Sequence, residues 1–224
     1  MTGPREPFLD KMNLFEARSE GYWNYRIPGI LVTKRGTVLV TTEARQGRGG
    51  DWDNIDLLMR RSIDGGATWE PRRALVSHEE YGEGPVNNGV LVCDDATGTV
   101  HALYCHNYAQ VFTMRSDDDG LTFSPPREIT AALEAFRTRQ PEQAYAWRVI
   151  ATGPGHGTQL RNGRLVVPLW MSTGEGTEFG SGKLGHRPSV ASLVYSDDHG
   201  ETWQCGEIVA RTTGALLYPS ETAA

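Results

Sequence analysis

The residues best placed to do chemistry lie in one stretch, Gly49–Trp69, GGDWDNIDLLMRRSIDGGATW. It joins a candidate catalytic carboxylate, Asp51, to a strand pattern and a turn. Asp51, Asp53 and Asp56 follow the glycine- and arginine-rich run Arg45–Gly50. A carboxylic acid on a mobile, partly dry loop can give and take a proton near neutral pH, and Gly47–Gly50 supply the mobility. The residues alone leave rivals open. Asp51 could cap its own loop, with Asp53 or Asp56 as the acid, and Asp56, inside the strand pattern, suits a supporting role. Local arginines can hold an anionic ligand, because the planar guanidinium binds two oxygens at once.

The elements that must position these groups are marked by a repeated turn. Ser62–Trp69 returns as Ser116–Phe123 and again as Ser196–Trp203, sharing Ser-x-Asp-x-Gly-x-Thr-aromatic. Asp and Ser side chains bond nearby backbone N–H groups, and Gly accepts positive φ. Each copy follows a strand-like run: Ile55–Arg61, Val111–Arg115 and Val190–Tyr195. The boxes mark one corner of a repeating unit, and their aspartates, Asp64, Asp118 and Asp198, read as structural.

In chain order, residues 1–21 are a polar lead-in with one helical turn expected near Leu14–Arg18. Residues 22–224 read as four-stranded units. The first has strands at Tyr25–Thr33, Thr37–Glu43, Ile55–Arg61 and Arg72–Val76. The second has Asn88–Cys93, Val100–Cys105, Val111–Arg115 and Arg127–Thr130. The third opens with an insertion, Ala131–Trp147, carrying a short helix candidate at Ala131–Arg139. It continues with Val149–Leu160, Arg164–Trp170, a Gly/Ser/Glu-rich loop at Ser172–Gly185, Val190–Tyr195 and Glu207–Ala210. Ala215–Ala224 begins a further unit. The box aromatics are 54 and then 80 residues apart, and the insertion and loop explain the longer interval. The pattern predicts an all-β chain of about three β-propeller blades. A β-sandwich competes, but would not by itself repeat one turn at one corner.

The 224 residues carry a net charge of −6, which argues against a general nucleic-acid binder. Cys93, Cys105 and Cys205 lack metal spacing and read as buried thiols. No apolar run reaches membrane-spanning length and no export signal is present, so the compartment is left open.

Taken together, these residues resemble the exo-sialidase (neuraminidase) family with Asp-box repeats. The match lies in Tyr25-Arg26-Ile27-Pro28, Glu43-Ala44-Arg45, Asp51 through Ile55-Asp56 to Arg60-Arg61-Ser62, and Gly153-Pro154-Gly155-His156 followed by Gly163–Pro168. It covers nearly all of 22–224. The resemblance implies a six-bladed propeller that releases terminal sialic acid from glycans with retention, using no metal or cofactor. It implies Arg26 as the first of three arginines on the sugar carboxylate and Asp51 as general acid/base. Glu221, in Pro219-Ser220-Glu221, would activate a nucleophilic tyrosine. Arg45, Asn88 and Trp170 would contact the ring, its N-acyl group or its glycerol tail. A neutral tyrosine suits a substrate whose anomeric carbon bears a carboxylate, which would repel an anionic nucleophile.

No tyrosine here stands in the family's nucleophile motif, and the other two arginines have no counterpart before Ala224. The chain resembles the family's N-terminal half, expected inactive alone and prone to self-association through open blade faces. Bland alternatives stand beside each role. Arg26 could pair with Glu43, Trp170 could be plain core, and His156 reads as structural. Two other functions compete: a non-catalytic propeller binding glycan or protein, and a propeller glycosidase acting on a different sugar.

Overall fold

The computed structural model describes residues 9–178 and 183–224. Its strands form three sheets in chain order. The first is a meander of β1 (Asn24–Val32), β2 (Val38–Arg45), β3 (Ile55–Ser62) and β4 (Arg73–Val76). The second contains β5 (Val86–Cys93), β6 (Val100–His106), β7 (Gln110–Ser116) and β8 (Arg127–Glu128). The third is built on β12 (Leu165–Thr177) and β13 (Leu184–Ser196). There β9 (Val149–Thr152) and β11 (Thr158–Gln159) pair with β12, while β14 (Gln204–Cys205) and β15 (Ala210–Arg211) pair with β13. Between β9 and β11, β10 (Gly155–His156) crosses to the second sheet and runs parallel to β5.

Two apolar layers fill the gaps between successive sheets. Leu39, Leu57 and Met59 of the first sheet belong to one cluster with Leu91, Val100 and Tyr104 of the second. Val90, Leu103 and Cys105 of the second cluster with Ile150, Val167, Leu169 and Val194 of the third. The second sheet is therefore covered on both faces, and every residue of β5 and β6 is buried. Runs such as Gly89-Val90-Leu91-Val92-Cys93 are apolar without alternation for that reason. Each fully buried aliphatic side chain contributes about 1.5–3 kcal/mol. Three successive stacked sheets with one turn at the same corner are the arrangement expected of propeller blades.

The boxes repeat in detail as well as in sequence. In each, the Asp carboxylate accepts from the Ser hydroxyl, the Thr backbone N–H and the Thr hydroxyl. The Ser hydroxyl in turn accepts from a Gly backbone N–H at 2.8 Å in all three. β3 runs from the Asp51 loop to the first box, so at ~3.3 Å per residue its length separates the two by about 25 Å.

Besides the strand expected at Glu207–Ala210, which is replaced by β14 before it and β15 at its end, four sequence expectations change. Ala131–Arg139 is not one helix but two single turns, α1 (Thr130–Leu133) and α2 (Ala135–Thr138). Helices this short do not hold themselves; Leu133 and Phe136, both 0% exposed, pin them against Trp147. The expected helical turn at Leu14–Arg18 consists of bends and turns instead. Val149–Leu160 is three strand pieces because β10 leaves for the neighbouring sheet.

The fourth change matters most for function. Ser172–Gly185 is largely a hairpin that prolongs β12 and β13, apart from residues 179–182, which lie outside the described residues. Register shifts on both sides of Glu175 absorb Gly174 and Gly176, at φ 71° and 69°, without ending the pairing. All three cysteines are free and buried.

Candidate active site

β1 and β5, the first strands of the first two sheets, carry matching irregularities. The pairing of β1 with β2 shifts between Arg26 and Gly29, and that of β5 with β6 between Asn87 and Val90. Ile27 and Asn88 sit at these shifts with φ 55° each. For a β-branched residue this is a strained conformation, and bulges re-aim neighbouring side chains beside sites. The bulges place Arg26 and Asn88 near the end of β2, where Glu43 and Arg45 emerge.

Arg45 is 2% exposed and gives its whole fork to the protein. Its Nε and Nη2 donate to Glu43 Oε2 at 2.9 and 2.5 Å. Its Nη1 donates to Asp51 Oδ1 at 2.5 Å and to the Gly49 carbonyl at 3.0 Å. The other Glu43 oxygen accepts the Asn88 backbone N–H at 2.8 Å. Burial pushes the Glu43 carboxyl above its ordinary value, and the guanidinium and that N–H offset this only in part.

Arg26 lies on the open side, 49% exposed, with Nη1 3.5 Å from Asp51 Oδ1. The alternative pairing of Arg26 with Glu43 is not made, since Arg45 occupies that carboxylate. Arg45 lies beneath Asp51 as a buried strut between that carboxylate and Glu43. Asn88, 4% exposed, serves the site through its backbone: its N–H holds Glu43 and its carbonyl accepts from the Thr152 hydroxyl.

The three acids now separate by what they touch. Asp53 is the loop cap: its Oδ2 accepts the backbone N–H groups of Arg48 and Gly50 at 3.1 and 2.9 Å. Asp56 is a buried support that accepts from Tyr22, Ser77 and the His78 backbone, and also meets the His78 ring. Burial works against the Asp56 charge, but the bonds from Tyr22 and His78 win and leave its pKa below the usual value. Burial and Asp56 push the Tyr22 phenol well up, so it is a poor nucleophile. Asp51 has neither restraint. It is 25% exposed, and its carboxylate meets the guanidiniums of Arg26 and Arg45.

Glu221 and Trp170 meet on the adjoining wall. They line a cavity of about 450 Å³ together with Glu175, Glu178, His186 and Tyr218. The segment carrying Glu221 is tied down by backbone bonds from Thr222 to the Gly153 carbonyl at 3.1 Å and from Ala224 to the His156 carbonyl at 3.4 Å. The Gly153–His156 motif thus acts as a docking loop for that segment. Trp170 is 3% exposed and packs against His186, ring centroids 5.1 Å apart.

Sequence reasoning missed Glu178, which lies in the stretch read as a loop, and His186, which follows it on a strand that starts six residues earlier than expected. Ligand-type atoms of Asp51, Glu178 and His186 all lie within 4.8 Å of one another. A cation there would have to share Asp51 with two guanidiniums, so the trio suits proton chemistry better than metal binding. Trp52, adjacent to Asp51, stacks toward Tyr108 and His186 at 4.8 and 5.9 Å.

Residues 28–223 match the model of the BNR repeat-like domain. Human Sialidase-4 is 30% identical over 92% of this chain, which spans 44% of that protein. The sialidase of Micromonospora viridifaciens is 31% identical over 91% of this chain and 32% of its own length. Among solved structures, the Hadza microbial sialidase Hz136 aligns at TM-score 0.64 and 29% identity over 83% of this chain and 37% of its own. A leech intramolecular trans-sialidase shares the fold at TM-score 0.67 and 16% identity, over 92% and 47%. The chain thus spans less than half the length of each of these proteins, and it belongs to the BNR repeat-like domain family, in the company of sialidases.

Proposed function

We propose that the protein is an exo-α-sialidase-type glycosidase unit that supplies the acid/base side of the active site. The observation that carries this reading is Asp51: of the three acids on its stretch, it alone is neither a turn cap nor a buried support. In this reading Arg26 binds the carboxylate of a terminal sialic acid through its open fork. Asp51 protonates the departing glycosidic oxygen, and Arg45 with Glu43 fixes where Asp51 sits. Glu221 stands ready beside a tyrosine nucleophile, for which none of the tyrosines of this chain is a match. Trp170 and its cavity take the sugar's tail. The substrates are sialylated glycans, and the blades form residues 22–224 after a lead-in of 1–21.

The 224-residue protein, with one carboxylate-binding arginine of three, is expected to bind sialosides weakly and not to turn them over. Saturation-transfer NMR should show millimolar-range binding of sialyllactose but not of lactose. Arg26→Ala should abolish it and Asp51→Asn should retain it. Equal signals from the two sugars would reject the reading in favour of a propeller that recognises another ligand. Phenol release from an aryl sialoside that disappears in Asp51→Asn would keep the sialidase reading and remove the need for further residues.

A further inference from the structure

The two joints between successive sheets are built alike at the box corner. In the first, Arg73 of β4 donates to the Gly120 carbonyl of the second box, and Thr37, in the turn between β1 and β2, donates to Asp119 of that box. In the second, Arg127 of β8 donates to the Gly200 carbonyl of the third box at 3.3 Å, and Asp94, in the turn between β5 and β6, meets the ring of His199 at 2.7 Å. Asp119 and His199 hold the same place in their boxes.

The joints differ in the side chain that lies under the box glycine. It is Leu39 in the first and His101 in the second. Each pairs across its sheet with the arginine that precedes the box serine, Arg61 for Leu39 and Arg115 for His101. A Cβ on Gly120 would run into the Leu39 side chain, and one on Gly200 would run into the His101 ring. Each box glycine is therefore packed directly on this side chain. Leu39 is 0% exposed and His101 2%. The His101 Nε2 is buried and has no hydrogen-bond partner among the described residues, and the same is true of Thr113 Oγ1. Both residues line a crevice of about 180 Å³ with Arg115, Arg127 and Glu201.

We propose that the second joint is an acid-sensitive hinge and that His101 is the group that works it. The neutral ring fits beneath Gly200, edge-on to Trp203 with ring centroids 6.2 Å apart. A proton on that ring places a cation where Nε2 has no acceptor, and the penalty is relieved when the corner opens and the ring reaches water. The first joint carries Leu39 at the matching place and has nothing there to titrate.

Charged groups of both signs face the ring. Burial pushes its pKa below the ordinary histidine value and Arg115 of β7 adds to this, while Asp94, Asp117 and Glu201 oppose it. Those three anions are already engaged. Asp94 accepts from the Ala96 N–H, Thr97 and Gln159 besides meeting His199, and Arg115 pairs with Asp117 and Glu201. Arg127 is a second cation on the crevice wall. The contact of His199 with Asp94 strengthens when its ring is charged, so it serves as the pivot and not the trigger. A histidine whose folded pKa is depressed costs nothing above its open-state value, ~6.5, and more as pH falls from there toward the folded value.

The hinge rests on the fold and not on the sialidase reading. NMR of the 224-residue protein tests it. His101 should titrate below an exposed histidine. The Trp203 indole N–H is buried without a partner among the described residues, so its hydrogen exchange, corrected for the intrinsic rate, reports the corner. Its protection should fall by up to about tenfold per pH unit between ~6.5 and the His101 midpoint, one proton for each opening. The Gly157 amide, bonded to the Leu91 carbonyl across the same two sheets, should keep its protection. His101→Leu, which gives the second joint the first joint's residue, should make Trp203 protection independent of pH over this range. His101→Gln, polar and uncharged, should do the same if the leucine variant does not fold. A His101 midpoint at or above that of an exposed histidine would overturn the proposal. So would Trp203 protection that is flat in the unaltered protein, or a loss that survives the substitutions. Equal losses at Trp203 and Gly157 would replace the hinge with separation of the whole sheets.

Discussion

Two regions of this molecule use aspartate in opposite ways. At the box corners, Asp64, Asp118 and Asp198 spend their oxygens on their own turn: the same Ser, the same Thr hydroxyl and the same Thr N–H serve each. Those bonds hold Asp64 and Asp118 at a pKa of about 2, although Asp64 is exposed and Asp118 half-exposed. At the other end of β3, Asp51 takes nothing from its loop, because Asp53 caps it. A carboxylate whose bonds are used locally is fixed as an anion and builds a corner. One that meets only side chains from other strands remains available to a ligand.

The comparison is tested most severely at Arg45. Arg45→Ala leaves Glu43 buried without its guanidinium and should cost about 3–5 kcal/mol, as breaking a buried ion pair does. Urea unfolding measures it, and a loss below about 1 kcal/mol would mean that Glu43 is not held as described.

Asp94 sharpens the contrast, since it is a turn aspartate reached by a distant residue. It is 0% exposed and accepts from the Ala96 N–H, Thr97, Gln159 and, at 2.7 Å, the His199 ring of the third box. Burial opposes its charge, but these bonds win and bring its pKa to about 2. A depressed pKa gives stability that is complete above the unfolded value, ~3.9, and lost as pH falls toward 2. That contribution is on the order of 2 kcal/mol. Asp94→Asn should flatten the acid limb of a stability-versus-pH curve, and an unchanged limb would show that other carboxylates set it.

Smaller effects belong to the corners. Asp64→Ala and Asp118→Ala should each lower Tm by about 2–4 °C and leave sialyllactose binding as it was. A change in binding at either would undo the separation of corner from mouth. The smallest change is expected for Asp51→Asn, within ~0.5 kcal/mol of the parent in thermal unfolding, because Arg45 keeps Glu43. A large loss there would place Asp51 among the structural acids.

The sheets and corners were legible because their signals are local. Alternation, a Gly at positive φ and a Ser-x-Asp turn each fit within a few residues. The choice among Asp51, Asp53 and Asp56 was not, since it depends on Arg26, Arg45, Tyr22 and His78, which other elements deliver. The Asp-box motif concealed the link from His199 to Asp94, 105 residues away. The hairpin was hidden by its glycines: Gly174 and Gly176 read as loop residues, yet they sit in bulges within a continuing ladder. His186 and Glu178 were lost with it.

The short crossing of β10 bears on how the molecule comes apart. Gly155 pairs with Val90 and His156 with Leu91, while the Gly157 N–H donates to the Leu91 carbonyl at 2.9 Å. A Cβ on Gly157 would stand 2.6 Å from the Val166 carbonyl oxygen, so the backbones are in direct contact there. The second and third sheets are sewn together by main-chain bonds, whereas the first meets the second through side chains, the close approach of Gly29 to the Gly155 carbonyl and a single bridge, Ile55 to Pro85, among the described residues. In hydrogen exchange, the Gly157 amide should therefore report opening of the second and third sheets as one foldon, with the first sheet free to open on its own at lower cost.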